Sequence, residues 1–230
     1  ITTVMVVGFV NSGFMTLAQA IGVIMGANIG TTITGWILAL KIGVYGLPML
    51  GLGAFGYLFP RRESIRFAAL AIMGLGMVFF GLELMKDGFA MVKALPEFED
   101  WFARFDAHSY LGVLKYAAVG CILTFIVQSS SATLGITISL ATIGVIPFET
   151  AAALVLGETI GTTITAWLAS FGATTNARRA AYFHVLFNLI GVAWITAIFP
   201  WYIEMINGLF NLTFFRSLAG VQGNVGDAVD

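Results

Sequence analysis

The sequence predicts an all-α integral membrane protein built from two inverted-topology repeats. Three observations point there: a composition nearly free of charge, a succession of apolar runs of spanning length, and an internal repeat. Of 230 residues, 59% are hydrophobic and 10% charged, with a mean hydropathy of +0.94. Soluble chains are nearer about 45–50% apolar and about 25% charged, so too few charges remain here to cover a soluble surface. Twenty-seven glycines agree with this, since glycine is more frequent in membrane helices.

Crossing a hydrocarbon core of about 30 Å takes about 20 mostly apolar residues in a helix. The apolar runs are 1–13, 16–40, 43–59, 64–85, 111–127, 132–146, 148–171 and 180–199, with a weaker one at 201–215. The first opens on ITTVMVVGF, which has neither a charged leader nor a cleavage-site pattern and reads as cut from a longer chain. Lys41 ends the second run, and PRRESIR (60–66) separates the third from the fourth. The polar stretch 86–110 follows. Within it, LPEFEDWFARFDAHSYL (95–111) interleaves aromatics with charges, as an interfacial helix does. Glu149 stands where the helix of 148–171 starts and suits its dipole, and ATTNARR (173–179) breaks the chain before the next run. The expected organisation is a first repeat over 1–95 lacking its hairpin tip, a connecting segment over 96–110, a second repeat over 111–215 and a polar tail over 216–230.

The runs 111–127 and 132–146 are short, and Gln128-Ser129-Ser130-Ser131 joins them. One helix over 111–146 would be about 54 Å long, too long for a single upright crossing. A water-exposed turn ordinarily brings Gly, Pro, Asn or charge, and QSSS has none. A re-entrant hairpin is left, its tip buried in protein or lining a cavity, because non-helical backbone at membrane depth is tolerated only there.

The repeat is visible directly. GANIGTTITGWI (26–37) and GETIGTTITAWL (157–168) agree at eight of twelve positions at an offset of 131 residues. The offset also pairs Gly13 with Gly144, Ala20 with Ala151 and Thr2 with Thr133. By the same arithmetic a counterpart of QSSS would fall just before Ile1, an expectation that the parent gene tests. Three crossings between the copies, over 16–40, 43–59 and 64–85, would turn the second copy upside down. Inverted repeats of this kind build secondary transporters, with the site where they meet. That parity places Arg61, Arg62, Arg66, Arg178 and Arg179 on one face, expected to be cytoplasmic.

The composition and motifs disfavour several other functions. A net charge of −1 without a basic run offers nothing to nucleic acid. The single Cys121 excludes an intramolecular disulfide. There is no G-x-S-x-G elbow, no Cys/His cluster and no phosphate-loop Lys after the Gly motif, so no enzyme is expected.

Taken alone, Gly26-x-x-x-Gly30 and Gly157-x-x-x-Gly161 are helix-packing patterns, and a lone membrane Thr commonly bonds back to its own helix. Clustering argues for a site: Gly30-Thr31-Thr32-Ile33-Thr34 recurs as Gly161-Thr162-Thr163-Ile164-Thr165, with a Ser triplet nearby. Hydroxyls donate to an oxyanion and offer lone pairs to a cation, and broken helix ends add N–H groups and carbonyls. No Lys or Arg lies in 16–40, 116–171 or 180–199. An anion bound there would need co-bound cations, which is the physical basis of symport. Glu158, opposite Ala27 in the repeat, reads either as a cation ligand or proton carrier or as a structural hydrogen-bonder near the interface. His184 and Asn188, one turn apart on an apolar helix, read as a buried, satisfied polar pair slightly sooner than as a site contact. Trp36 and Trp167 read as interfacial anchors.

QSSSAT followed by GETIGTTITAWLAS, with IMGANIGTTITGWILAL upstream, closely resembles the sodium-dependent phosphate cotransporter family, type II, including its bacterial members. The resemblance covers roughly 1–40 and 111–199. It implies two inverted repeats, each with a QSSS-tipped re-entrant hairpin and a GxxIGTT helix, performing sodium-coupled phosphate symport by alternating access. Substrate contacts are implied for Gln128, Ser129, Ser130, Ser131, Asn28, Thr31, Thr32, Thr162 and Thr163. Sodium contacts are implied for Gln128, Ser129, Thr31 and Thr162, joined by Glu158 and Thr159. Thr159 departs from the Asn more usual in that motif. The implied partners are inorganic phosphate, Na+ as the co-transported ion and the lipid bilayer, with no organic cofactor, in a multi-pass protein of a bacterial plasma membrane. The alternatives are a carrier of another oxyanion, a proton-coupled carrier, or a non-transporting scaffold or sensor.

Overall fold

The structure is a computed structural model that describes residues 1–39, 45–60, 62–93 and 109–211. Ten helices run through these residues: α1 (Thr2–Asn11), α2 (Leu17–Ala39), α3 (Gly46–Leu58), α4 (Glu63–Lys93), α5 (Tyr110–Val127), α6 (Ser130–Thr142), α7 (Phe148–Gly161), α8 (Thr163–Ala169), α9 (Thr175–Ala197) and α10 (Phe199–Asn211). No strand occurs among the described residues. The interfacial helix expected before residue 109 and the tail over 216–230 lie outside them.

Five stretches are long and apolar enough to cross a membrane: Leu17–Trp36, Glu63–Gly81, Tyr110–Val127, Phe148–Ala169 and Thr175–Ala197. Large apolar side chains such as Trp36, Leu52, Phe55, Phe171, Trp194 and Trp201 point outward on these and neighbouring helices. In water they would be costly, and in lipid they are the solvent-matched face. The protein is a multi-pass integral membrane protein. Helix α3, with 13 residues, is about 20 Å long, shorter than the hydrocarbon core.

Three boundaries differ from the sequence reading. Helix α4 continues to Lys93, into the stretch expected to be polar connection. Helix α9 starts at Thr175, inside the expected break, because Ala177, Ala180 and Ala181 are buried while Arg178 and Arg179 point outward. The charges lie on one face of a helix that its alanines hold in place. The run 148–171 is interrupted at Thr162, which separates α7 from α8.

Glycines set the closest helix approaches. A Cβ on Gly53 of α3 would come within 2.6 Å of the Met73 backbone nitrogen on α4. Gly46 lies against Phe80 and Gly53 against Met73, so α3 and α4 are antiparallel neighbours. In the second half, Gly157 abuts the Ala117 carbonyl, and a Cβ on Gly161 would approach the Cys121 carbonyl to 2.6 Å. These two contacts advance together along both chains, so α5 and α7 run in the same direction, and α6 between them doubles back.

The turn that follows α1 recurs after α6. Gly13 has φ 76° and Gly144 has φ 69°. The Phe14 N–H donates to Phe9 O at 2.9 Å, and the Val145 N–H to Leu140 O at 2.9 Å. This is a left-handed helix-ending turn that glycine adopts without a Cβ penalty. The repeat seen in the letters is thus also a repeat of backbone hydrogen bonds.

Two apolar cores flank the centre. One joins Val6, Val7 and Val10 of α1 with Ala20 and Ile24 of α2, Ala166 of α8 and the three buried alanines of α9. The other joins Val113 and Tyr116 of α5, Ala153 and Leu154 of α7, and Phe199 and Ile203 of α10. The first core interleaves the two halves of the sequence and holds the α2 motif beside that of α7 and α8.

Candidate functional site

Between α5 and α6 the chain turns on Gln128, whose φ of 53° and ψ of 24° make it the one non-glycine residue in the left-handed region among those described. Such a conformation costs about 1–2 kcal/mol for a residue with a Cβ and tends to mark functional positions. The Gln128 N–H donates to Thr124 O at 2.7 Å, closing α5. Ser129 caps α6, its hydroxyl accepting from the Ala132 N–H at 3.3 Å. Ser130 and Ser131 fall in the first turn of α6, so the loop itself is only Gln128 and Ser129. The first N–H groups of α6 have no intrahelical partner by construction and give this end a positive dipole.

This tip opens on a cavity of about 1020 Å³. Asn28, Thr31 and Thr32 line it from α2, Gln128 to Ser131 from the tip, Glu158, Thr159 and Thr162 from around the α7–α8 break, and His184 and Asn188 from α9. The structure thus brings together nearly every residue singled out in the sequence. Thr163 is the exception. It is absent from the lining, is buried, and donates its hydroxyl to Ile160 O at 2.7 Å.

Hydrogen-bond direction sorts the hydroxyls. Thr31 donates to Ala27 O at 3.0 Å, Thr32 to Ile29 O at 2.7 Å, Thr159 to Leu156 O at 2.6 Å and Thr162 to Thr159 O at 2.6 Å. Each proton is spent on the residue's own helix, so these oxygens have lone pairs left to offer. In this arrangement the free lone pairs of these threonines are available to a cation. Donors for an anion lie at the tip, in the Gln128 amide, the serine hydroxyls and the α6 N–H groups.

Glu158 is buried, and its Oε1 accepts from the Thr137 hydroxyl of α6 at 2.6 Å. No Lys or Arg is among the described residues lining the cavity. The described lining offers mainly oxygen ligands, from threonine and serine hydroxyls and the Glu158 carboxylate.

Asn188 and His184 both face the cavity. They are not a mutually satisfied pair. Asn188 accepts from Asn28 Nδ2 at 3.1 Å and donates to Thr159 O at 3.1 Å, linking the two repeated motifs, while the His184 Nδ1 is buried without a partner. Thr124 also lines the cavity with a buried hydroxyl lacking a partner. Subtracting the 131-residue offset puts Gly53 opposite His184 and Tyr57 opposite Asn188, so the repeat gave no signal for them. Their one-turn spacing on an apolar helix was the signal available.

The signature of the Na+/Pi-cotransporter family matches residues 1–87 and 91–214. The chain belongs to the Na+/Pi-cotransporter family. Over 190 residues it is 31% identical to the uncharacterised protein YqeW of Bacillus subtilis, covering 83% of this chain and 60% of that protein. It is 27% identical over 190 residues to the protein named "Putative inorganic phosphate export protein YjbB" of Escherichia coli K12, covering 83% of this chain and 34% of the other. Over 116 residues it is 42% identical to human "Sodium-dependent phosphate transport protein 2B", covering 45% of this chain and 15% of the other. The chain therefore spans 60% or less of the length of these relatives. No solved structure matches it.

Proposed function

We propose that the full-length protein carries inorganic phosphate across a bacterial plasma membrane together with sodium. The convergence of the QSSS tip with both Gly-Thr-Thr motifs on one cavity, lined among the described residues by a carboxylate and by no Lys or Arg, supports this reading most directly. A phosphate placed there meets N–H and hydroxyl donors at the tip but no fixed positive charge. Sodium held by hydroxyl and carbonyl oxygens supplies that charge, so each solute stabilises the other's binding, and coupling follows from electrostatics. The two motif-bearing halves act as inverted repeats, the α5–α6 hairpin is re-entrant with its tip at membrane depth, and the halves alternate in exposing the cavity. The relatives named for sodium-dependent phosphate transport and for phosphate export agree on the substrate and differ on direction. That favours export as the second reading.

Initial rates of radiolabelled phosphate flux in proteoliposomes test both. Uptake that requires an inward sodium gradient supports symport, and efflux against such a gradient supports export. Sodium-independent flux, or faster flux of sulfate, overturns the coupling or the substrate. In the same assay Ser130→Ala is expected to raise the half-saturating phosphate concentration, and Thr162→Ala the half-saturating sodium concentration, each about tenfold, the effect of about 1.4 kcal/mol. Unchanged values in both variants remove these residues from the ligand set.

A further inference from the structure

The amide chain Asn28–Asn188–Thr159 has a fixed polarity. A backbone carbonyl only accepts, so the Asn188 atom 3.1 Å from Thr159 O is its nitrogen. Its oxygen then faces Asn28, which must answer with Nδ2, at 3.1 Å. Asn28 is thereby left with its Oδ1, an acceptor, uncommitted to Asn188, and Asn28 lines the cavity. Without Asn188 the Asn28 amide is free to turn over and offer N–H donors instead. Asn188 itself is buried on α9, a helix whose alanines are locked against α1 and α2. The reference point for the whole chain is thus a rigid element and a main-chain oxygen.

We propose that Asn188 is a positioning residue: by fixing the amide of Asn28 it presents the Asn28 oxygen to a sodium ion, and so sets sodium affinity while leaving phosphate affinity alone. This rests on the transport reading above only for the choice of cation. The same amide bridges the carbonyl of Thr159, the position where the second motif has no Asn. One carboxamide from outside the repeat therefore ties its two copies together.

The test uses the purified full-length protein in phosphate-free buffer, with sodium chloride titrated against N-methylglucamine chloride at constant ionic strength and thermal unfolding as the readout. Sodium is expected to stabilise the wild type. Asn188→Ala should raise the sodium concentration for half-maximal stabilisation about tenfold. Asn28→Ala should do the same, and the double variant should be no worse than Asn28→Ala, because Asn188 acts through Asn28. In proteoliposomes Asn188→Ala should raise half-saturating sodium by a similar factor, with half-saturating phosphate at saturating sodium within about twofold of wild type.

Multiplying effects in the double variant, a shift in phosphate instead of sodium, or a wild type that sodium does not stabilise would each overturn the proposal. Should Asn188→Ala fail to fold, Asn188→Ser carries the test, a neutral polar residue too short to reach Asn28 and Thr159 together. A half-maximal sodium concentration raised as expected for Asn188→Ala supports positioning, and an unchanged one overturns it. If the wild type transports no phosphate while sodium stabilisation is present and weakened in Asn188→Ala, the transport reading falls and this one stands.

Discussion

Glu158 is the residue on which the charge balance of the cavity turns. It is buried on α7, accepts a hydrogen bond from Thr137, and faces a lining with no Lys or Arg among the described residues. A buried carboxylate without a cationic partner is costly, and a co-bound cation removes that cost. Glu158→Gln separates the roles considered for it, because a glutamine oxygen still accepts from Thr137 while the charge is gone. If Glu158 assists sodium, the variant folds and needs at least about tenfold more sodium for half-maximal phosphate flux, the effect of losing a charge-assisted ligand of about 1.5–3 kcal/mol. If it carries a proton, flux driven by a pH gradient without sodium disappears in the variant. An unchanged dependence on both ions would leave it a structural partner of Thr137.

The site's chemical letters were readable at this scale, since QSSS and the two Gly-Thr-Thr motifs are contiguous and repeated. What escaped was reach. Back-bonding of Thr31 and Thr162 is the ordinary behaviour of a membrane threonine, but nothing in the letters says that Asn188 spans from Asn28 to Thr159.

Among the helices, lengths and order followed from where apolar runs stop, and most ends fall within a few residues of those stops. Two of the three differences, at the end of α4 and the start of α9, share a cause: a charge within a helix does not break it. On α9 the arginines sit on the outward face of a helix whose alanines pack inward, and one-dimensional hydropathy averages the two faces. The glycine motif shows the same dependence on surroundings. Gly157→Ala would drive a methyl group into the Ala117 carbonyl and force α5 and α7 apart. Overpacking of this kind costs about 1–3 kcal/mol. Thermal unfolding in detergent should therefore show Gly157→Ala clearly destabilised. A variant as stable as wild type would mean that α5 and α7 do not pack through this glycine.

For the molecule as a whole, the decisive property is the relative orientation of the two halves. Their shared turn provides matched reporters. Gly13 and Gly144 end α1 and α6 with the same hydrogen bonds, and the residues preceding each turn, Ser12 and Thr142, are exposed. If the halves are inverted, these equivalent turns open on opposite faces of the membrane. The chain has one native cysteine, Cys121, so Cys121→Ala provides a background in which Ser12→Cys and Thr142→Cys can be labelled singly. A membrane-impermeant thiol reagent added outside intact cells should then modify one of the two, and the other only after the cells are opened. Labelling of both from the same side would make the halves parallel. The cavity would lose the two-fold relation in the membrane plane on which alternating exposure depends, and the protein would bind its solutes by the same side chains without a symmetric route for passing them across.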